Sequence, residues 1–144
     1  MIDVVTKKPS AMKIMSSVTS EEKEMALNEI KFLKSLNHKN IVKFEEEYHE
    51  SESVIIVMEY CRGGDLASVI RKHTKLRIPF SEETVIFWFY DLLSGMAYLH
   101  RKDILHRDLK HNGNIFLTSS NSLKFGDFGF AKSMNGNVEN LYSL

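Results

Sequence analysis

The stretch from Ile104 to Gly129 reads ILHRDLKHNGNIFLTSSNSLKFGDFG and contains two aspartates that could take part in chemistry. Asp108 follows a long apolar helix pattern, in the segment His-Arg-Asp. Asp127 follows a strand-like run and stands directly before a phenylalanine and a glycine. Carboxylate oxygens are ligands that Mg²⁺ prefers in proteins, often together with phosphate oxygens of a substrate. Two such acids on two turns therefore indicate metal and phosphate chemistry.

This stretch resembles the catalytic loop and the Asp-Phe-Gly turn of a eukaryotic protein kinase. The resemblance implies that Asp108 accepts a proton from a hydroxyl nucleophile and that Asp127 holds a Mg²⁺ that bridges phosphate oxygens. Lys110 is similar to the lysine of the serine/threonine branch, which helps to neutralise the transferring phosphate. Short motifs also match by chance, so the order of features along the chain must carry the assignment.

Length and composition restrict the class of protein. The chain has 144 residues, formal net charge zero and 43% hydrophobic residues, which predicts one soluble globular unit with a modest core. The balanced charge gives no electrostatic attraction to nucleic acid or to a membrane surface. The longest apolar run, Val54 to Met58, is too short to span a bilayer, and Cys61 has no second cysteine to pair with. We therefore expect a cytoplasmic or nuclear protein with no nucleic-acid or membrane partner.

A lysine near the start of the chain is a candidate for phosphate binding. Val4 to Met15 predicts two short strands around a turn at Lys7 to Ser10, and the alternation puts Lys13 on the face opposite its two neighbours. Taken alone, a lysine in this position is usually solvated. In this order of features, Ala11 and Lys13 resemble the Ala-x-Lys of the kinase family, whose lysine holds the α- and β-phosphates of ATP.

Thr19 to Leu36 has the pattern of an amphipathic helix that begins with a capping box, Thr19 with Glu22. Its predicted apolar stripe consists of Ala26, Ile30, Leu33 and Asn37. Glu29 lies beside that stripe, so its carboxylate either reaches water at the border of the helix or needs a cation nearby. The resemblance supplies this cation, since the family pairs the equivalent glutamate with the strand lysine, here Lys13.

Two further strands, Val42 to Glu47 and Ser53 to Tyr60, are predicted to pair and to lead into a break at residues 61–64. The break resembles the hinge between the two kinase lobes, although Gly-Gly-Asp also suits a plain turn from strand to helix. The resemblance gives Glu59 and Cys61 backbone contacts to adenine, places Met58 behind the base and brings Asp65 to the ribose. Ala11 and Phe116 are also expected in this ATP pocket.

Helices are then predicted from Asp65 to His73 and from Ser81 to Arg101. The second carries an apolar stripe, which we interpret as core that supports the catalytic loop: Val85, Trp88 or Phe89, Leu92, Met96 and Leu99. The resemblance also predicts a hydrophobic column across the lobes, formed by Leu33, Phe44, His106 and Phe128.

The catalytic loop departs from the family pattern at its metal ligand. The family has an asparagine five residues after the catalytic aspartate, but Gly113 occupies that position here and Asn114 comes one residue later. A backbone bulge at Gly113 would still deliver Asn114 to a second Mg²⁺, which is the assignment we favour. Asn112 is another candidate ligand, and a displaced site would impair turnover.

We therefore expect an α+β fold of the protein-kinase type, truncated at both ends, with residues 1–60 as an incomplete N-lobe, 61–64 as hinge and 65–144 as an incomplete C-lobe. Neither a glycine-rich loop before Ala11 nor an Ala-Pro-Glu motif after Gly129 is present. Tyr60 to Ile70 is similar to the NIMA-related group, and Asp127 to Lys132 leans toward the Unc-51-like group. The hypotheses are an ATP-dependent serine/threonine kinase acting on proteins, an impaired kinase-like binding module, and a truncated product without function.

Overall fold

The computed structural model describes residues 9–110 and 113–134. Its first sheet has three antiparallel strands in the order β1-β3-β2. These are β1 (Ser10–Ser16), β2 (Phe44–His49) and β3 (Ser53–Glu59). The first of the two strands predicted between Val4 and Met15 lies mostly outside the described residues. Ser10, predicted to be in the turn, is already part of β1.

The side chains of this sheet explain its place in the fold. In β1, Lys13 is partly buried while Met12 and Ile14 are 48% and 63% exposed, as the alternation predicts. In β3, four of the five residues from Val54 to Met58 are buried, with Ile55 partly exposed. The continuous apolar run is therefore buried on both faces of β3, apart from Ile55.

Helix α1 (Ser20–Ser35) begins with the predicted capping box. The Thr19 hydroxyl accepts a hydrogen bond from the amide of Glu22, and the Glu22 carboxylate accepts one from the amide of Thr19. Its buried residues are Ala26, Glu29, Ile30, Phe32 and Leu33. Asn37 was wrongly assigned to the stripe, because the helix ends at its C-cap Leu36 and Asn37 is exposed.

Two helices follow, α2 (Leu66–Leu76) and α3 (Glu82–Arg101), capped by Asp65 and Ser81. The predicted stripe of α3 is wrong at one position, because Val85 is 51% exposed. Of the alternatives Trp88 and Phe89, Trp88 is buried and Phe89 is 61% exposed. Packing on this side starts at Trp88, whose indole nitrogen donates to the carbonyl of Asn121, so the preceding turn of α3 lacks this cover.

Short strands complete the described structure. They are β4 (Gly64–Asp65), β5 (Ile104–Leu105), β6 (Ile115–Leu117), β7 (Leu123–Phe125) and β8 (Lys132–Ser133). The sheet β4-β6-β7 and the pair β5-β8 are antiparallel. The buried carboxylate of Asp91 in α3 accepts hydrogen bonds from Ser122 and Leu123, at 2.7 and 2.8 Å, and so fixes the β6–β7 turn on the helix.

The predicted α+β class is confirmed, with three helices and small antiparallel sheets in the described residues. One continuous core joins the first sheet, α1 and α3, and Phe125 and Phe128 are among its fully buried side chains. None of the helices in the described parts of the chain has the length and apolar character needed to cross a lipid bilayer.

Candidate active site

The predicted ion pair between Lys13 and Glu29 is present. The Lys13 ammonium nitrogen lies 2.7 and 2.9 Å from the two carboxylate oxygens of Glu29. The Glu29 side chain is completely buried, so the alternative of a glutamate that reaches water at the helix border is wrong, as is that of a freely solvated lysine. Burial raises the pKa of the Glu29 carboxyl, and the charge of Lys13 lowers it in part. The pair therefore joins β1 to α1 in the core.

The same lysine also contacts the acid of the Asp-Phe-Gly turn. Asp127 Oδ1 lies 3.2 Å from the Lys13 ammonium nitrogen and accepts a weaker, 3.4 Å hydrogen bond from the amide of Gly129. The backbone of Asp127 is left-handed, with φ of 58°, which is uncommon for a residue with a side chain. One amine therefore bridges two acids that are 98 positions apart in the sequence, 29 and 127.

The acid of the catalytic loop is held by two neighbours. The Asp108 carboxylate accepts hydrogen bonds from Lys110, at 2.8 and 2.9 Å, and from the side-chain amide of Asn114, at 2.8 Å. The hydrogen bonds from Lys110, and then that from Asn114, lower the pKa of Asp108. Asp108 is consequently unprotonated at neutral pH.

The loop that carries the extra residue brings Asn114, not Gly113, to Asp108. Gly113 has a positive φ of 90°, a conformation that glycine adopts at little cost. Asn114 is 2% exposed, and its amide also donates to the backbone carbonyl of Asp108. Asn112, the other candidate ligand, lies outside the described residues. The bulge predicted at Gly113 and the metal-binding role of Asn114 both stay predictions.

Backbone contacts join the catalytic loop to the Asp127 turn. The amide of Gly126 donates to the Asn114 carbonyl at 3.0 Å, and the His106 ring nitrogen Nε2 donates to the Gly126 carbonyl at 3.0 Å. A Cβ at position 126 would lie 2.7 Å from the Phe116 ring, so only glycine fits here without movement. Asp108 and Asp127 are therefore held by directly connected segments.

Part of the predicted hydrophobic column is visible in the ring contacts. The rings of His106 and Phe128 have centroids 4.8 Å apart and are tilted by 50°. Leu33 and Phe128 are among the fully buried residues, and Phe44 is partly buried against the same core. The four predicted members thus belong to one continuous core.

A cavity of about 220 Å³ lies between the first sheet and residues 61–64, which are predicted to form the hinge. Its lining consists of Ala11, Val42, Met58, Glu59, Tyr60, Cys61, Gly64, Asp65 and Phe116. All six residues predicted only for nucleotide binding are among them. Ala11 lies two residues before Lys13 on the same face of β1, so the cavity and the Lys13–Glu29 pair are on the same side of this strand.

Sequence reasoning missed three lining residues, Val42, Tyr60 and Gly64. Val42 could have been found, since it is a buried apolar residue two positions before β2 begins at Phe44. Asp65 lines the cavity, and its carboxylate also caps α2 by accepting a hydrogen bond from the Ser68 amide at 2.8 Å. The segment therefore forms the strand-to-helix turn that was the alternative to a hinge. Burial raises the pKa of the Cys61 thiol to about 11, which keeps it neutral.

Comparison with known proteins decides the family. Residues 1–143 match the family described as protein kinase domain. The chain belongs to this family. Serine/threonine-protein kinase Nek1 of Mus musculus is 36% identical over 125 residues, 87% of this chain and 10% of that protein. Nek2 of Mus musculus is 42% identical over 126 residues, 83% of this chain and 28% of that protein.

A third relative is the probable serine/threonine-protein kinase nek2 of Dictyostelium discoideum, which is 39% identical over 132 residues, 88% of this chain and 31% of that protein. The chain thus spans between 10% and 31% of the length of these three relatives. The predicted kinase fold and the NIMA-related resemblance are confirmed. The lobe and hinge boundaries stay predictions.

The kinase site has a donor set that fits Mg²⁺. No group of three or more His, Cys, Asp or Glu residues that could hold a metal exists in the described ranges, 9–110 and 113–134. Mg²⁺ is commonly bound by one or two protein oxygens together with substrate phosphates. The side chain of Asp127 is 34% exposed. The side-chain nitrogen of Asn114 donates to Asp108, so the side-chain oxygen of Asn114 can coordinate a metal ion. A carboxylate and an amide oxygen are suitable hard ligands.

Proposed function

We propose that the protein transfers the γ-phosphoryl group of ATP to serine or threonine hydroxyl groups of a protein substrate, within a complete kinase domain. The observation that carries this proposal is the Lys13 ammonium group, which lies 2.7 Å from Glu29 and 3.2 Å from Asp127. Phosphoryl transfer requires positioned cations more than covalent chemistry by the protein. A fixed lysine on the same strand as a residue that lines the cavity predicted to hold adenine meets this requirement.

The roles of the residues are those that the kinase resemblance implies, and the cavity lining supports the adenine-binding part. Backbone groups of Glu59 and Cys61 hold the adenine edge, Met58 limits the depth of the pocket, and Asp65 meets the ribose hydroxyls. Lys13, fixed by Glu29, binds the α- and β-phosphates. Mg²⁺, held by Asp127 and Asn114, neutralises phosphate charge when it is bound.

Asp108 acts on the substrate hydroxyl. The lowered pKa keeps the Asp108 carboxylate charged, so it can accept a hydrogen bond from the hydroxyl and orient it, and we assign removal of the hydroxyl proton to the same carboxylate. The hydroxyl oxygen then forms a bond to the γ-phosphorus while the bond from that phosphorus to the β–γ bridging oxygen breaks and ADP leaves. Lys110, 2.8 Å from Asp108, is placed to offset the charge that develops on the phosphoryl oxygens.

Calorimetric titration with ATP in the presence of Mg²⁺ tests the binding part of the proposal. Lys13→Met should weaken binding by at least about tenfold, since it removes a charge that would contact two phosphates. Lys23→Met is the matched control, because Lys23 is exposed on α1, and it should bind as the unaltered chain does. Equal affinities for all three proteins would contradict the role of Lys13.

A phosphotransfer assay tests the catalytic part. Asp108→Asn preserves the size of the side chain but removes its basicity, so transfer of labelled phosphate to a serine-containing protein should be lost while ATP binding is retained. An Asp108→Asn variant with unchanged turnover would contradict the assignment. Both proteins are assayed as complete kinase domains that contain this chain, because the proposal is made for a complete domain.

A second function, a nucleotide-binding module without turnover, is favoured by the catalytic loop. Lys110 donates hydrogen bonds to both oxygens of Asp108, whereas efficient proton transfer needs a carboxylate oxygen that is open to the substrate hydroxyl. The extra residue before Asn114 also departs from the family spacing. A displacement of about 1 Å in such groups can cost on the order of 10²-fold in rate. ATP binding without detectable transfer would support this module, and absence of both binding and cooperative unfolding would support a truncated product without function.

A further inference from the structure

Asn28, in the middle of α1, makes two hydrogen bonds to the segment that follows the Asp127 turn. Its side-chain nitrogen donates to the backbone carbonyls of Gly129 and Ala131, both at 3.0 Å. A primary amide has two N–H donors, so this pair of contacts uses the full donor capacity of the side chain. Two bonds from one group to alternate carbonyls fix the direction as well as the position of the segment.

The backbone carbonyl of Phe130, between those of Gly129 and Ala131, is bound by a residue of the catalytic loop. Arg107 Nε donates to the carbonyl of Phe130 at 2.8 Å. Three consecutive carbonyls are therefore bound by two side chains, one from α1 and one from the catalytic loop. Beyond them, the chain pairs with β5 through Ile104–Ser133 and Leu105–Lys132.

Asn28 directly precedes Glu29, so its contacts and the ion pair to Lys13 belong to the same turn of α1. A Cβ built on Gly129 would lie 3.5 Å from the carboxylate of Asp127 and 3.7 Å from that of Glu29. The segment fixed by Asn28 contacts one of these acids directly, since the amide of Gly129 donates to Asp127 Oδ1 at 3.4 Å. A shift of this segment would move Asp127 relative to Lys13.

We propose that Asn28 is a positioning residue that holds Gly129 to Ala131 against α1 and thereby keeps Asp127 in place for the metal-bound phosphates of ATP. This role rests on the proposed kinase function. This role explains why α1 has an asparagine on the side that faces the segment. Asparagine has only a modest helix propensity, so a helix position without such hydrogen bonds favours a better helix former. Neither the capping pattern nor the apolar stripe predicts it.

The first test is amide hydrogen exchange, which needs no nucleotide. In Asn28→Leu, which has a similar volume and no donor, a peptide covering residues 128–134 should exchange about tenfold faster, because loss of two hydrogen bonds favours local opening. The amides of Ala131 and Met134, bonded to Phe128 and Asp103 at 3.0 and 2.7 Å, are the reporters. A peptide covering β3 should be unchanged. Asn37→Leu, the same change at an exposed position, should alter neither peptide.

The second test separates positioning of Asp127 from general damage to the pocket. Calorimetry should show that Asn28→Leu weakens binding of Mg²⁺–ATP by about tenfold and leaves binding of adenosine, which has no phosphates, unchanged. Asn28→Ser retains one donor and should give intermediate values. Equal weakening of both ligands, or unchanged Mg²⁺–ATP affinity, would overturn the proposal.

Failure of the proposed function is distinguishable from failure of this inference. If the unaltered chain binds no ATP, the proposed function fails, while the exchange measurement still decides whether Asn28 holds the segment. If exchange in residues 128–134 is the same in Asn28→Leu and the unaltered chain, the inference fails even when ATP binds.

Discussion

His106 is a histidine held in its neutral form by the fold. The residue is 4% exposed, Nε2 donates to the Gly126 carbonyl, and Nδ1 is buried without a hydrogen-bond partner among the described residues. Burial lowers the pKa of His106, and this effect outweighs the opposite influence of the Gly126 carbonyl and the charges of Asp127 and Asp108.

Stability should therefore depend on pH below about 6.5. Since the unfolded histidine, with a pKa near 6.5, binds a proton before the folded one, stability is fully present above this pH and falls as the pH drops toward the folded pKa. One such group contributes a slope of at most about 1.4 kcal/mol per pH unit. Urea unfolding at a series of pH values from about 8 to 5 measures this slope.

The contribution of His106 is isolated by comparison with variants. His106→Gln should reduce the slope between about pH 6.5 and 5, whereas His100→Gln, at an exposed position, should retain it. Other titrating groups, including Glu29 with its raised pKa and opposite pH dependence, are common to all three proteins and cancel in the difference. An unchanged slope in His106→Gln would contradict the prediction.

Single residues differ in how far the sequence alone could place them. Lys13 and Glu29 could be predicted, because a lysine inside an alternating strand and a carboxylate beside an apolar stripe both require a partner, and the resemblance connects them. Asn28 and Asn40 could not. Their partners are backbone carbonyls 101, 103 and 83 residues away, which leave no side-chain pattern in the sequence.

At the scale of elements, one ion pair ties the first sheet to the β6–β7 hairpin. Lys124 in β7 is 13% exposed, and its ammonium nitrogen lies 3.0 Å from Glu59 Oε2 at the end of β3. The backbone amide of Lys43 donates to the same oxygen at 3.2 Å. The Glu59 side chain therefore joins three segments next to the cavity that is proposed to bind adenine.

Lys124→Met should lower the free energy of unfolding by about 1–2 kcal/mol, because the apolar stem is retained while the partly buried Glu59 carboxylate loses its cation. Lys43→Met is the control, since its exposed side chain can be replaced while its backbone amide remains. Chemical denaturation of both variants measures the difference. If Lys124→Met and Lys43→Met lower the free energy of unfolding equally, the ion pair between Lys124 and Glu59 does not contribute to stability.

Long elements could be predicted from the sequence and short ones could not. The helix that begins after Thr19 has a capping box and regular spacing, and it was found within one residue at each end. The strands β4, β5 and β8 have two residues each, too few for any periodicity, so only their partners define them. Val85 was placed in the core because helical spacing identifies a stripe but cannot show which part of it is covered.

At the scale of the whole molecule, α3 has a second apolar stripe on its exposed side. It consists of Ile86, Phe89, Tyr90 and Leu93, which are 60%, 61%, 61% and 49% exposed. Their spacing of three, four and seven residues puts them on one face, separate from the buried face with Trp88 and Leu99. A contiguous patch of large apolar side chains promotes association in water.

The 144-residue chain should therefore associate in a concentration-dependent manner. The double variant Ile86→Glu/Phe89→Lys places charges in this stripe without changing the net charge, and it should sediment as a monomer and unfold at a melting temperature that does not depend on protein concentration. Trp88→Glu, on the buried face of the same helix, should instead lower stability by several kcal/mol by burying an unpaired carboxylate. Sedimentation velocity over a range of concentrations and thermal unfolding distinguish these outcomes. A chain that is monomeric at every concentration and melts in one sharp transition would contradict the prediction that the exposed stripe of α3 causes association.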